Sequence, residues 1–267
     1  MTSRLLPIIA HKKTEVAALY TQIKHHPDHP IAKILKGECA CPSSKSFMQA
    51  LGGSLLSVIA EIKRASPAVG VLAPITDPVQ LAKTYVAGKA SALSILTEDK
   101  FFQGKLSDLS EVSTALAGNN TPILRKDFII DDIQIAESLI AGANAILVMV
   151  AVLGKETKPL LARARALGID ALVEVIDEKE IEIALAAGAE IIGINNRNLH
   201  TFEVDRERSM RLIQYIPSSV IKVAASGISH PAIARQYHQA GFDAVLVGEA
   251  LVKSHSPADF IRDCQHV

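Results

Sequence analysis

Four stretches of the chain place acids, bases or amides at alternate positions where an apolar run ends. They are "SVIAEIK" with Glu61 and Lys63, "ILRKDF" with Lys126 and Phe128, "ALVEVID" with Glu174, and "GINNRN" with Asn195 and Arg197. Each begins as a strand should, with β-branched and small apolar residues. Side chains two apart on a strand share a face. Ile59, Glu61 and Lys63 therefore point one way, as do Leu124, Lys126 and Phe128, then Leu172 and Glu174, then Gly193, Asn195 and Arg197. A buried carboxylate or ammonium is costly unless paired. Burial also moves its pKa toward neutrality, where it can exchange protons. Two lysines and two glutamates aimed from one end into one cavity are acid–base machinery. A salt bridge closing the structure explains any single pair equally well, but it explains four strands together poorly.

The elements that must position these groups follow from a recurring joint. An Ala- and Leu-rich helical stretch ends at a glycine, and an apolar β-type run starts a few residues later. The joint occurs in "ALGGSLLSVIAEIK" at Gly53, "YVAGKASALSILTE" at Gly88, "ALAGNNTPILRKDF" at Gly118 and "IAGANAILVMVAV" at Gly142. It continues in "RALGIDALVEVID" at Gly168, "LAAGAEIIGINN" at Gly188 and "HQAGFDAVLVGEA" at Gly241. These glycines are expected in the left-handed conformation that commonly ends a helix. In "IQYIPSSVIKVAASG" Pro217 stops the helix instead. Strand starts thus recur roughly every 20 to 35 residues with helices between, the pattern of parallel βαβ units. Eight such units predict a closed (β/α)8 barrel. An open doubly wound sheet is the alternative, but no Gly-rich dinucleotide loop follows the first strand. The expectation is a single barrel domain over 1–267. Residues 1 to about 50 are read as a helical extension packed on it, too short for a core of their own.

Composition narrows the function classes. The 267 residues carry 28 basic and 28 acidic side chains, with 49% hydrophobic residues. A neutral chain without a basic cluster gives no support for nucleic acid or an anionic membrane as partner. No apolar run is long enough to span a bilayer, and "MTSRLLPIIAHKK", interrupted by Pro7, does not read as a signal peptide. Cys39, Cys41 and Cys264 are too few and too oddly placed for a disulfide framework, which fits a reducing cytoplasm. The run "KHHPDHP" from Lys24 to Pro30 reads as a surface turn, and no metal site is expected.

The last two units carry a different signal. Ser226 and Gly227 in "VAASGI" and Gly248 in "AVLVGEA" put small residues where backbone N–H groups can approach a ligand. Barrels frequently bind phosphate at the loops after these two strands, helped by the N-terminus of a short helix. A phosphorylated small molecule is the expected ligand.

Taken together, "VIAEIKRASP", "ALSILTEDKFFQG", "PILRKDFIID", "ALVEVIDEKE", "IIGINNRNLHTFEVD", "VAASGI" and "AVLVGEALV" resemble the indole-3-glycerol phosphate synthase family. The resemblance runs in order from about residue 50 to the end. It implies a carboxy-lyase of tryptophan biosynthesis. Such an enzyme closes the ring of 1-(2-carboxyphenylamino)-1-deoxyribulose 5-phosphate, with loss of CO2 and water, to give indole-3-glycerol phosphate. By the same resemblance Lys126 and Glu174 are the principal acid and base. Lys63 binds the anionic substrate or itself acts as the acid in ring closure. Glu61 orients and charge-balances the lysines, and Asn195 bonds the leaving hydroxyl. Arg197 holds the anthranilate carboxylate or supports the charge of the site. Ser66, Ser226, Gly227, Gly248 and Glu249 line the ligand or its phosphate, the last two through backbone N–H. Leu96, Phe102, Phe128 and Leu246 form an apolar slot for the aromatic ring, although leucines at such positions serve equally as barrel packing. No metal or organic cofactor is implied. A cytoplasmic monomer is the family-based expectation, and association with other tryptophan-pathway enzymes is compatible with it.

One position departs from the family pattern. A glutamate usually precedes the serine of the strand-seven motif, and this chain has Ala225, which removes a carboxylate from the expected site. Two rival readings stay open at this level: an aldolase-type barrel with Lys63 or Lys126 as Schiff-base nucleophile, and a non-catalytic binding protein that kept its pocket.

Overall fold

The structure is a computed structural model that describes residues 5–38, 45–67, 69–198 and 203–265. The chain enters through three helices, α1 (Leu5–His25), α2 (Pro30–Lys36) and α3 (Phe47–Leu51). It then alternates β1 (Ser57–Ile62), α4 (Pro78–Ala87), β2 (Ala92–Leu96), α5 (Leu106–Ala115), β3 (Ile123–Lys126), α6 (Asp132–Ile140) and β4 (Ala145–Met149). After α7 (Val150–Leu153) and α8 (Thr157–Ala166) come β5 (Asp170–Val175), α9 (Glu178–Ala186), β6 (Ile191–Asn195) and α10 (Glu207–Leu212). The chain closes with β7 (Ile221–Ala225), α11 (Pro231–Gln239), β8 (Ala244–Val247), α12 (Glu249–Lys253) and α13 (Pro257–Gln265). The eight long strands pair in parallel in chain order and close on themselves: β1 meets β2 at Ile59↔Ala92 and β8 at Ser57↔Ala244. The predicted barrel is the observed one. Among the described residues, no helix is long and apolar enough to cross a membrane.

Alternation along each strand sorts side chains between two packed regions. Ile59, Ala92, Leu124, Leu147, Leu172, Ile191, Val223 and Leu246 fill the barrel interior. Their neighbours Val58, Ala60, Leu93, Ile123, Ile146, Val173, Ile192 and Val245 face the surrounding helices. Where an interior position is glycine, a neighbour claims its volume: a Cβ on Gly193 would lie 3.1 Å from Leu172 Cδ1. Several helices start where a side chain satisfies an otherwise orphan N–H. Asp77 accepts from Gln80 N, Asp131 from Ile133 N and Asp177 from Glu180 N.

The helical joints hold in part. Gly142, Gly168, Gly188 and Gly241 are left-handed, with φ between 73° and 98°. Gly88 is not; φ there is −73°, and Lys89 takes the left-handed turn at 66°. Gly88 is needed for close approach instead, since a Cβ there would sit 2.7 Å from Ala258 Cα on α13. Gly53 and Gly118 also lack a positive φ.

α3 contributes Phe47 and Leu51 to the interior cluster, tied down by Met48 N donating to Asp170 Oδ2 at 3.0 Å, where β5 begins. α1 is held at the opposite, C-terminal end of the strands. Its Lys12 is buried and lies 2.9 Å from Asp127 Oδ1 and 2.7 Å from Glu15 Oε2. Burial alone would lower the Lys12 pKa and raise that of Asp127. Attraction between them, with Glu15 and Arg125 also bearing, holds Lys12 above and Asp127 below their ordinary values.

Candidate active site

At the C-terminal ends of the strands a cavity of about 930 Å3, counted to its open mouth, gathers the side chains singled out from sequence. Glu61, Lys63, Lys126, Glu174, Asn195 and Arg197 line it, as do Ser66, Leu96, Phe102, Phe128, Ser226, Gly227, Leu246, Gly248 and Glu249. Asp127, Leu147, Met149, Ala225, Ile228 and Val247 complete the wall. Met149 is the inward end of β4. The same alternation points to it, but a strand without a polar residue draws no attention.

Two ion pairs organise the floor. Glu61 Oε1 lies 2.8 Å from Lys63 Nζ, and Glu174 Oε2 lies 3.7 Å from Lys126 Nζ. Both glutamates are buried, while the lysines keep partial contact with solvent. Asn195 Nδ2 donates to Glu174 Oε1 at 3.0 Å, which orients that carboxylate along the strand pair β5–β6. Asn195 is fixed in turn: its Oδ1 accepts from Arg197 N, and its carbonyl accepts from Arg208 on α10, both at 2.9 Å.

The expectation of pKa values moved toward neutrality fails at Glu61. Burial does push its carboxyl up, but Lys63 and Lys126 outweigh that and hold it below the usual carboxylate range. Glu61 therefore stays an anion facing both lysines. Its position depends on Gly248, because a Cβ there would overlap the Glu61 carboxylate.

The rim is held by groups that sequence reasoning missed. Arg64, beside Lys63, bonds Asp108 on α5 and the Ile75 carbonyl, anchoring the hairpin 65–71 that carries Ser66. Asn196 is fully buried. It donates to the Ser226 carbonyl at 3.0 Å and to Tyr237 Oη at 2.9 Å, and accepts from Ser209 N at 3.1 Å. This ties the loops after β6 and β7 together and supports the left-handed pair Ser226 (φ 70°) and Gly227 (φ 80°). A Cβ on Gly227 would also meet Val204 Cγ1 at 2.9 Å. No side chain caps α12 at Gly248, and the Glu249 carboxylate turns to Lys253 at 2.7 Å. That bond, burial acting against it, holds the Glu249 pKa below its ordinary value. Phe102 and Phe128 pack as a tilted pair on one side of the cavity, ring centroids 6.1 Å apart.

Residues 26–29 form the exposed turn between α1 and α2 that "KHHPDHP" predicts. Among the described residues, the side chains that bring metal-ligating atoms together are His11, Glu15 and Asp99, elsewhere in the chain. Cys264 is free and buried, and Cys39 and Cys41 lie outside the described residues.

A closed parallel barrel with paired acids and bases at the carboxyl ends of its strands is a (β/α)8-barrel enzyme. Among solved structures, 3-hexulose-6-phosphate synthase from Salmonella typhimurium shares that fold, with a TM-score of 0.63 at 15% identity over 79% of this chain and 97% of its own. The family model for indole-3-glycerol phosphate synthase matches residues 5–264, and the chain belongs to that family. Relatives of that name include one from Mycobacterium leprae, 45% identical over 87% of this chain and 85% of its own. Another, from Chlorobium phaeovibrioides, is 45% identical over 92% and 93%.

Proposed function

We propose that the cavity binds 1-(2-carboxyphenylamino)-1-deoxyribulose 5-phosphate and that its strand-end residues divide the work of turning it into indole-3-glycerol phosphate. The chain is a carboxy-lyase of tryptophan biosynthesis by its family. What carries the assignment of roles is one juxtaposition: the Lys126–Glu174–Asn195 group stands in the same cavity as the Phe102–Phe128 slot and the Ser226–Gly227 turn.

The anthranilate ring lies against the tilted Phe102–Phe128 pair, flanked by Leu96 and Leu246. The phosphate lies against Ser66, the Ser226–Gly227 turn and the backbone N–H groups at Gly248 and Glu249, where a helix start favours an anion. Lys63, tied to Glu61, and Arg197 neutralise the ring carboxylate. Lys126 then protonates the ketone oxygen as the ring carbon bearing the carboxylate attacks the carbonyl carbon. The carboxylate leaves as CO2, and its bonding electrons return to the ring. The new hydroxyl, bonded by Asn195, departs as water with a second proton, given by Lys63 or by Lys126 once solvent has reprotonated it, and Glu174 takes the proton from the carbon beside the ring nitrogen, which makes the new five-membered ring aromatic. Glu61 remains ionised throughout and supplies charge balance, not protons. We further read the chain as one domain with its first fifty or so residues packed on the barrel, acting as a cytoplasmic monomer.

The test is the rise of indole fluorescence when purified protein meets this substrate, beside Lys126→Ala. Removing the principal acid is expected to lower kcat by about 100-fold or more with the fold retained. Wild-type protein that binds substrate and forms no product sinks the catalytic reading and makes Ala225→Glu the next protein to assay. Undiminished turnover in Lys126→Ala moves the acid to Lys63.

A further inference from the structure

We infer that Glu98 is a positioning residue for ring closure: its buried side chain folds the loop after β2 so that Phe102 becomes a wall of the aromatic slot. This rests on the slot reading above. Glu98 lies two residues past the end of β2 and is 0% exposed. One of its oxygens, Oε2, accepts from two consecutive peptide groups, Phe101 N at 2.7 Å and Phe102 N at 2.9 Å. Its own carbonyl accepts from Gly104 N at 2.7 Å, and Asp99 O accepts from Gln103 N at 3.1 Å, with Gln103 left-handed at φ 55°. The loop 98–104 is therefore wound around a single carboxyl group. Gly104 lets it close, since a Cβ there would lie 2.6 Å from the Leu96 carbonyl carbon. The side chain that this winding presents to the cavity is Phe102, beside Phe128.

The second oxygen, Oε1, is buried with no hydrogen-bond partner among the described residues. A buried polar oxygen left unpaired is destabilising, so the loop holds this carboxyl group in place at a cost to stability. Burial pushes the Glu98 pKa up; the two N–H groups and Lys12 oppose, and Asp127 adds to the rise. Glutamine matches the side chain in length. It keeps one oxygen for the two N–H groups and carries no charge.

The experiment is a double-mutant cycle read in KM and kcat. Phe102→Ala is expected to raise KM by about tenfold through lost ring contact, with kcat changed less than about threefold. Glu98→Ala should give the same split, and Glu98→Ala/Phe102→Ala should be no worse than the poorer single variant, because both remove one wall. Glu98→Gln should restore KM to within about twofold of wild type. Should Glu98→Ala not fold, Glu98→Asp, one methylene too short to hold both N–H groups, carries the same cycle. KM effects that multiply in the double variant overturn the proposal and leave the slot reading standing. So does an unchanged KM in the Glu98 variant. An unchanged KM in Phe102→Ala overturns both.

Discussion

Replacing Gly248 with alanine separates what the site asks of the fold from what it gives the reaction. Gly248 joins β8 to α12 with φ −122°, so the substitution brings no left-handed strain. The three nearest atoms that the new Cβ would meet all belong to Glu61. The new Cβ would overlap Oε1 and lie 3.1 Å from Cδ and 3.2 Å from Cβ of that residue. Ordinary carbon contacts are about 3.5–4.0 Å, so the carboxylate must withdraw by roughly an ångström. A side-chain end can do this at modest expense, near the lower limit for overpacking, about 1 kcal/mol. The reaction fares worse. The 2.8 Å pair with Lys63 does not survive such a shift, and the Glu61 carboxylate moves relative to Lys126 as well. Misplacing a site group by an ångström can cost about 100-fold. The expected loss in kcat/KM is therefore about 10- to 100-fold, or roughly 1.4–2.7 kcal/mol of transition-state stabilisation.

Two assays on one preparation decide the matter: product fluorescence for kcat/KM and urea unfolding for stability. Activity within about twofold of wild type, with the alanine verified, refutes the claim that Glu61 must stand where it does. A stability loss beyond about 3 kcal/mol, with activity following the folded fraction, refutes the partition between site and fold.

Lys12→Met should destabilise the protein by about 2–3 kcal/mol. This is below the usual 3–5 kcal/mol for breaking a buried pair, because Asp127 keeps Arg125 and Thr97. The midpoint of thermal unfolding should fall by roughly 5 °C, and an unchanged midpoint would show that α1 is not anchored there. Glu180, whose Oε2 accepts from Ile176 N at 2.9 Å, has its pKa pushed from 4.5 to about 7 by burial first, with Asp177 and Glu174 adding and Arg208 opposing. A raised folded-state pKa gives stability that is complete below about pH 4.5 and lost as pH rises through 7. Relative to wild type, Glu180→Gln should gain on the order of 1 kcal/mol between pH 5 and pH 8, after allowance for solvent screening. Unfolding curves at those two pH values check this, and a pH-independent difference counts against it.

The site was readable where a local period governs it. Glu61 and Lys63, Lys126 and Phe128, or Asn195 and Arg197 reach one cavity because alternate strand positions share a face, and glycine punctuation marks where each strand begins. What stayed hidden depends on contacts between distant segments. Gly88 is small because α13, from the far end of the chain, presses Ala258 against it. Lys12 and Glu98 read as ordinary polar residues until α1 and the loop after β2 close over them. The pKa of Glu61 moves down because Lys126 comes from a different strand.

Ala225 joins the two kinds of information. Its sequence position alone says that a carboxylate is missing. The register places it on the inward face between Asn195 and Leu246, and it lines the same cavity as both glutamates. There Lys63 and Lys126 already balance Glu61 and Glu174. A third carboxylate would offset Arg197, a further cation of this wall, in front of a ligand that brings both a phosphate and a carboxylate. With alanine the anionic substrate meets a wall carrying one negative charge fewer, and charge balance of the lysines rests on Glu61 and Glu174.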